Sequence, residues 1–81
     1  MTGGFEFRSV EKKYETEISL RVLVSVDVMY GDARINQVRG EVSLKRDNEG
    51  QYIVFNDTDW LNRYEIDPVI LGERITKELG K

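Results

Sequence analysis

Polar and apolar residues alternate most regularly in one stretch of the chain. From Ile18 to Val28 every even position is aliphatic: Ile18, Leu20, Val22, Val24, Val26 and Val28. The odd positions are mostly polar, with Leu23 and Met29 the exceptions. A period of two belongs to a strand with one buried face, and β-branched side chains suit such a pleated, half-buried surface. The pattern predicts a long central strand over residues 16–30.

Gly31-Asp32 interrupts the alternation and signals a hairpin into a second strand, residues 34–46. A two-residue turn pairs Tyr30 with Ala33. Continued without interruption, that register sets Gln37, Arg39 and Glu41 opposite buried valines, which is costly. Either a bulge at Asn36-Gln37 or a three-residue loop Gly31-Asp32-Ala33 repairs it. Both lead to the same pairs: Val38 with Val26, Gly40 with Val24, Val42 with Val22 and Leu44 with Leu20.

Asp47-Asn48-Glu49-Gly50 has the chemistry of a type I turn followed by a glycine bulge. It pairs Asp47 with Gln51 and Leu44 with Val54. Tyr52 and Val54 then face the core, and Ile53 and Phe55 face away. Pairing Arg46 with Gln51 instead would turn Ile53 and Phe55 inward, and turn chemistry favours the first register. Residues 60–64 fit one helical turn capped by Asp57 or Thr58, or an irregular loop with aromatic anchors. Asp67 followed by Pro68 is a helix start, and Leu71, Ile75 and Leu79 are spaced by four. A helix over 68–79 with Gly80 as its C-terminal cap follows.

The N-terminal part is less regular. Met1 to Gly4 reads as a flexible end. Phe5 and Phe7 alternate with Glu6 and Arg8, which allows a fourth, short strand at residues 5–10. The charged run 11–15 reads as the connection into the central strand. The fold class is therefore α+β, in a single small domain spanning residues 1–81. An antiparallel three-stranded meander, with that N-terminal segment as a candidate fourth strand, carries a C-terminal helix on one face.

Eighty-one residues suffice for one modest core. With 40% hydrophobic and 33% charged residues, wholesale disorder is not expected. The net charge of −3 argues against a generic phosphate-backbone binder. The chain has no cysteine and no histidine. It therefore lacks thiolate ligands, a cysteine nucleophile, the commonest general base and the commonest metal ligand. No signal-peptide core or membrane-length apolar run occurs, so a cytoplasmic setting is the expectation. Asp57-Thr58-Asp59 offers oxygens to a hard cation, but turn and cap roles outweigh that reading. No catalytic constellation, cofactor motif or metal site is expected.

Two surfaces remain as candidates. Leu23, Met29, Ile53 and Phe55 are expected on the face opposite the helix, and with Trp60 they form a candidate contact patch for another protein or a second copy. Arg21, Arg39 and Lys45 share that face with Phe55, an arrangement that suits single-stranded nucleic acid. Glu17, Asp27 and Glu41 dilute its charge. The leading expectation is a small non-catalytic interaction or regulatory module. It would bind a protein partner or self-associate, as a homodimer, through a sheet face or edge. The alternative is a nucleic-acid-binding domain using the basic open face.

Overall fold

A computed structural model describes residues 4–56 and 59–80. Four strands, β1 (Gly4–Glu15), β2 (Leu20–Tyr30), β3 (Ala33–Arg46) and β4 (Tyr52–Asn56), precede two helices, α1 (Asp59–Arg63) and α2 (Pro68–Leu79). The strands form one antiparallel sheet in chain order, β1-β2-β3-β4. The expected α+β meander with a C-terminal helix is present, and the fourth strand is real. The flexible end expected at Met1 to Gly4 lies, apart from Gly4, outside the described residues.

The even positions of β2 set the core. Leu20, Val22, Val24 and Val26 are buried, and Val38, Val42, Leu44, Tyr52 and Val54 join them from β3 and β4. Leu61 of α1, Leu71 and Ile75 of α2, and Ile66 between the helices close the apolar layer. Phe5, Phe7 and Val10 pack against it from β1. The helix α2 touches both outer strands, β4 and β1, so it spans the face of a sheet that curls around it.

The β2–β3 register has Val26 opposite Val38, Val24 opposite Gly40, Val22 opposite Val42 and Leu20 opposite Leu44. Parity dictates this, because a one-residue slip would turn both apolar rows outward. The turn is the two-residue one, with Tyr30 paired to Ala33 and Gly31 at φ +63°. The compensating irregularity is a bulge between Arg34 and Asn36, with Ile35 as the extra residue, one step earlier than Asn36-Gln37. Ile35 is left exposed.

The second hairpin follows its turn chemistry. The Asp47 carboxylate accepts the N–H groups of Glu49 and Gln51, both at 2.9 Å, and Gly50 takes φ +82°. The Gly50 N–H donates to the Asp47 carbonyl at 3.1 Å and the Asp47 N–H to that of Gln51 at 2.9 Å. Leu44 consequently pairs with Val54.

Two segments depart from the sequence reading. Residues 11–15 extend β1 rather than connecting it. Val10 pairs with Val24, Lys12 with Val22 and Glu15 with Leu20, while bulges between Phe7 and Ser9 and between Lys12 and Tyr14 bend the strand. The central strand begins at Leu20, not at residue 16. Ile18 lies in the preceding turn and is 83% exposed. That turn is held by Thr16, whose Oγ1 accepts the N–H groups of Ile18 and Ser19 and whose own N–H donates to the Ser19 carbonyl. A period-two pattern cannot mark where a strand stops if the next parity-matched residue happens to be aliphatic.

Helix α2 starts as expected. Asp67 is the N-cap, accepting the Val69 N–H at 2.8 Å, with Pro68 in the first turn. Ile75 is buried and Lys77 exposed. Gly80 is the C-cap, in right-handed rather than left-handed backbone geometry, and its N–H reaches the Thr76 carbonyl. The short α1 covers the expected helical turn. Its suggested caps, Asp57 and Thr58, lie outside the described residues, as does most of the Asp57-Thr58-Asp59 cation reading.

Candidate functional site

The sheet face away from the helices can be read row by row from the cross-strand pairs. Leu23 stands between Glu11 and Glu41. Ser25 stands between Ser9 and Arg39, Asp27 between Glu6 and Gln37, and Met29 between Gly4 and Arg34. Two polar rows therefore separate Leu23 from Met29, a span of roughly 20 Å along the strand. Ile53 sits beside Lys45, and Phe55 bulges out between the Val54 and Asn56 pairings, near the opposite end of the sheet. Ile53 and Phe55 are 40% and 47% exposed, while Leu23 and Met29 are half-buried. The four residues share a face but do not make one patch.

Trp60 belongs to the core side. Its indole lies against Gly40, where an added Cβ would come within 2.5 Å of the ring, and its Nε1–H donates to the Glu41 carbonyl at 3.0 Å. The role of Gly40 is to seat this ring. Its pairing with Val24 is legible in the sequence, but nothing there names the ring that needs the space.

The basic residues are also dispersed. The Arg21 Nε–H donates to Glu41 at 2.6 Å and its Nη1–H to the Ser43 hydroxyl at 3.0 Å, so its charge is neutralised locally. Lys45 lies 5.6 Å from the centre of the Phe55 ring. Arg39 is exposed in a separate row beside Ser25. This face is mixed in charge, exposed along β1 and at Gln37, Arg39 and Lys45 but buried at Ser25 and Asp27 of the central strand.

Sequence places Asp27 among the acidic residues of the open face, yet it is only 4% exposed. Its Oδ2 is 3.1 Å from the Arg8 Nε, and Arg8 occupies the first bulge of β1, between Phe7 and Ser9. The bulge thus aims a cation at a buried carboxylate. The other oxygen, Oδ1, is buried with no hydrogen-bond partner. An unpaired oxygen of a buried carboxylate is among the more expensive groups a fold can carry.

One hollow, of about 350 Å³, opens at the turn end of the sheet over Leu20, Leu44 and Tyr52. Glu15 and Arg46 are on its rim. The Arg46 guanidinium lies 4.8 Å above the Tyr52 ring and donates to its hydroxyl at 3.0 Å. That hydrogen bond, reinforced by the charges of Tyr52 and Glu15, holds Arg46 above the ordinary arginine range. Acid and base share this rim, and no single ligand class is selected by it. Among the described residues, no three or more acidic side chains cluster as a metal site.

The sheet edges are more informative. The Tyr52 N–H leaves the sheet and donates to the Thr76 Oγ1 at 2.8 Å. Its carbonyl lies against Gly72, where an added Cβ would sit 2.8 Å from that oxygen. Helix α2 therefore covers the outward groups of Tyr52 on the edge of β4. Beside it, a groove of about 290 Å³ is walled by Val54, Pro68 and Val69. The outer edge of β1 carries Glu6, Arg8, Glu11, Lys12, Lys13 and Glu15 and two bulges. Charges and bulges are the usual devices against a newcomer strand.

The outer edge of β3 is treated differently. β4 pairs only with Ser43–Arg46, leaving Ala33 to Val42 with β2 on one side. Because Tyr52 points outward, the Arg46–Tyr52 pair and the like pair Leu44–Val54 turn their backbone groups away from each other. Leu44 thus faces β2, and strict alternation sends the N–H and C=O of Glu41, Arg39 and Gln37 outward. The Trp60 bond to the Glu41 carbonyl agrees with this assignment. No backbone hydrogen bond among the described residues reaches the outward groups of Arg39 or Gln37. Trp60 caps the near end of this edge, and among the described residues no backbone partner is found at its distal end.

The chain matches no family model, no curated protein and no solved structure. Among the described residues, no helix is long and apolar enough to cross a membrane.

Proposed function

We propose that this protein is a small non-catalytic interaction module whose contact site is the distal outer edge of β3. The observation that supports it is the uneven protection of the sheet. Charges and bulges guard β1, α2 covers Tyr52 of β4, and Trp60 covers Glu41, but among the described residues no backbone hydrogen bond reaches the consecutive outward groups of Gln37 and Arg39. An extended segment of another chain satisfies such groups by adding a strand. Exposed Ile35 supplies an apolar side chain on that strand, and exposed Tyr30 and half-buried Met29 lie across it on β2. The absence of cysteine is compatible with work in a reducing cytoplasm.

Arg39→Pro tests the reading directly. It removes an outward N–H at an edge position, where proline is tolerated. Arg39→Gln removes the charge and keeps the donor. In a capture from nuclease-treated lysate, a protein retained by the wild type and by Arg39→Gln but lost with Arg39→Pro supports the edge reading. Retention that vanishes with nuclease, or that Arg39→Gln abolishes in a salt-dependent way, transfers the function to nucleic-acid binding.

A further inference from the structure

The geometry points to a second copy of this chain as the occupant of the β3 edge, paired antiparallel about a two-fold axis that passes beside Val38. This rests on the reading of the β3 edge as a contact site and names the partner. Two identical edges related by such an axis form an isologous contact, in which each strand satisfies the other.

Few registers are available. The core faces of the two sheets must lie on the same side, and outward residues must meet outward residues, so odd positions pair with odd. Centring on Arg39 opposes two arginines, and like charges directly opposite destabilise. Centring on Gln37 sets Arg39 against the bulged Ile35, where the strand is irregular. Centring on Val38 places Gln37 against the partner's Arg39 and the reverse. Each of these two pairs exchanges both backbone hydrogen bonds, and the ladder stops where Trp60 covers Glu41. The two Val38 side chains meet on the core side, next to Val26.

The buried carboxylate supplies an independent reason. Gln37 is the cross-strand neighbour of Asp27. Its side-chain amide lies 3.5 Å from the Ser25 hydroxyl, toward the next row rather than on Asp27. In the Val38-centred register the partner's Arg39 stands two strand spacings, roughly 10 Å, from Asp27. An arginine side chain spans that gap and, once the side chains covering Asp27 move aside, meets the buried Oδ1 that has no partner among the described residues of the single chain. The symmetry provides this twice.

Cysteine cross-linking reads the register, because the chain has no thiol of its own. The two Val38 residues would form a non-hydrogen-bonded pair with Cα atoms about 4.5 Å apart, inside the range a disulfide spans. Mild oxidation of Val38→Cys is expected to give a linked dimer, lost when Arg39→Pro is added, while Ile53→Cys on β4 stays monomeric. Should Val38→Cys fail to fold, the unaltered chain serves. Sedimentation should show a dimer across a concentration series, with amide exchange at Gln37 and Arg39 slowing as it forms. A chain that remains monomeric at every concentration, with rapid exchange at both amides, would overturn the inference. If such a monomer still captures another protein in an Arg39→Pro-sensitive way, only the second-copy assignment fails. If it captures none, the edge reading fails with it.

Discussion

The indole of Trp60 rests on Gly40 and reaches past it to hydrogen-bond the Glu41 carbonyl at 3.0 Å. One side chain thus seals the core face of β3 and covers one of its outward backbone groups. Gly40→Ala would drive a methyl group into the ring plane. The expected cost is about 1–3 kcal/mol, the range for overpacking. Trp60→Phe keeps an aromatic side chain but loses the donor and one of the two fused rings, at about 1–3 kcal/mol. Urea denaturation of both variants and of Gly40→Ala/Trp60→Ala checks the pairing. If the contact is as described, the alanine at residue 40 costs much less once the indole is gone.

Glu65 is the one described non-glycine residue at positive φ, +58°. It follows α1 in a Schellman arrangement, with the Ile66 N–H on the Leu61 carbonyl at 2.8 Å and the Glu65 N–H on that of Asn62 at 3.1 Å. Leu61 and Ile66 are both buried, which supplies the hydrophobic contact of that motif. Left-handed backbone costs an L-residue about 1–2 kcal/mol. Glu65→Gly is expected to raise stability by up to about 1 kcal/mol, after the glycine's extra unfolded-state entropy is subtracted. A lowered thermal midpoint would contradict this.

Ile75 is fully buried beneath α2, and Lys77 on the same helix is exposed. Ile75→Ala should cost about 2–4 kcal/mol through lost burial and a residual cavity. Lys77→Ala should stay within roughly 0.5 kcal/mol of the wild type. Parallel denaturation curves measure the contrast, and similar midpoints for the two would place the helix face wrongly.

Arg8 and Asp27 form a lopsided pair, one half-exposed and one buried. Arg8→Ala leaves the carboxylate without its cation and should destabilise by about 1–3 kcal/mol. Asp27→Val, which removes the unpaired Oδ1 as well, should cost less than Arg8→Ala. The order of the two denaturation midpoints decides the matter.

Much of this fold is legible in the sequence, for identifiable reasons. Parity over Leu20 to Val28 fixes β2 and its register with β3, because both faces of the pair differ in polarity. Asp47-Gly50 and Asp67-Pro68 act through short-range hydrogen bonds that residue type alone specifies. The second half of β1 is illegible because an edge strand carries charge for protection, and Glu11, Lys12 and Lys13 resemble a loop. The position of the Ile35 bulge and the seat of Trp60 depend on tertiary packing. Sequence periodicity assigns the candidate patch by face alone. The cross-strand rows scatter it, and the bare edge of β3 emerges only from the small extent of β4.

Each strand pairs with the strand that follows it in the chain, and it is the helices packing on the sheet, α2 against β1 above all, that join distant parts of the sequence. Loop-closure entropy is therefore modest for the whole sheet, and a topology this local folds quickly for its strand content. The turns at Gly31 and Asp47 can close independently, while α2 must wait for a curled sheet to receive it. Substitutions in those turns should accordingly slow refolding, and substitutions at Ile75 should chiefly hasten unfolding.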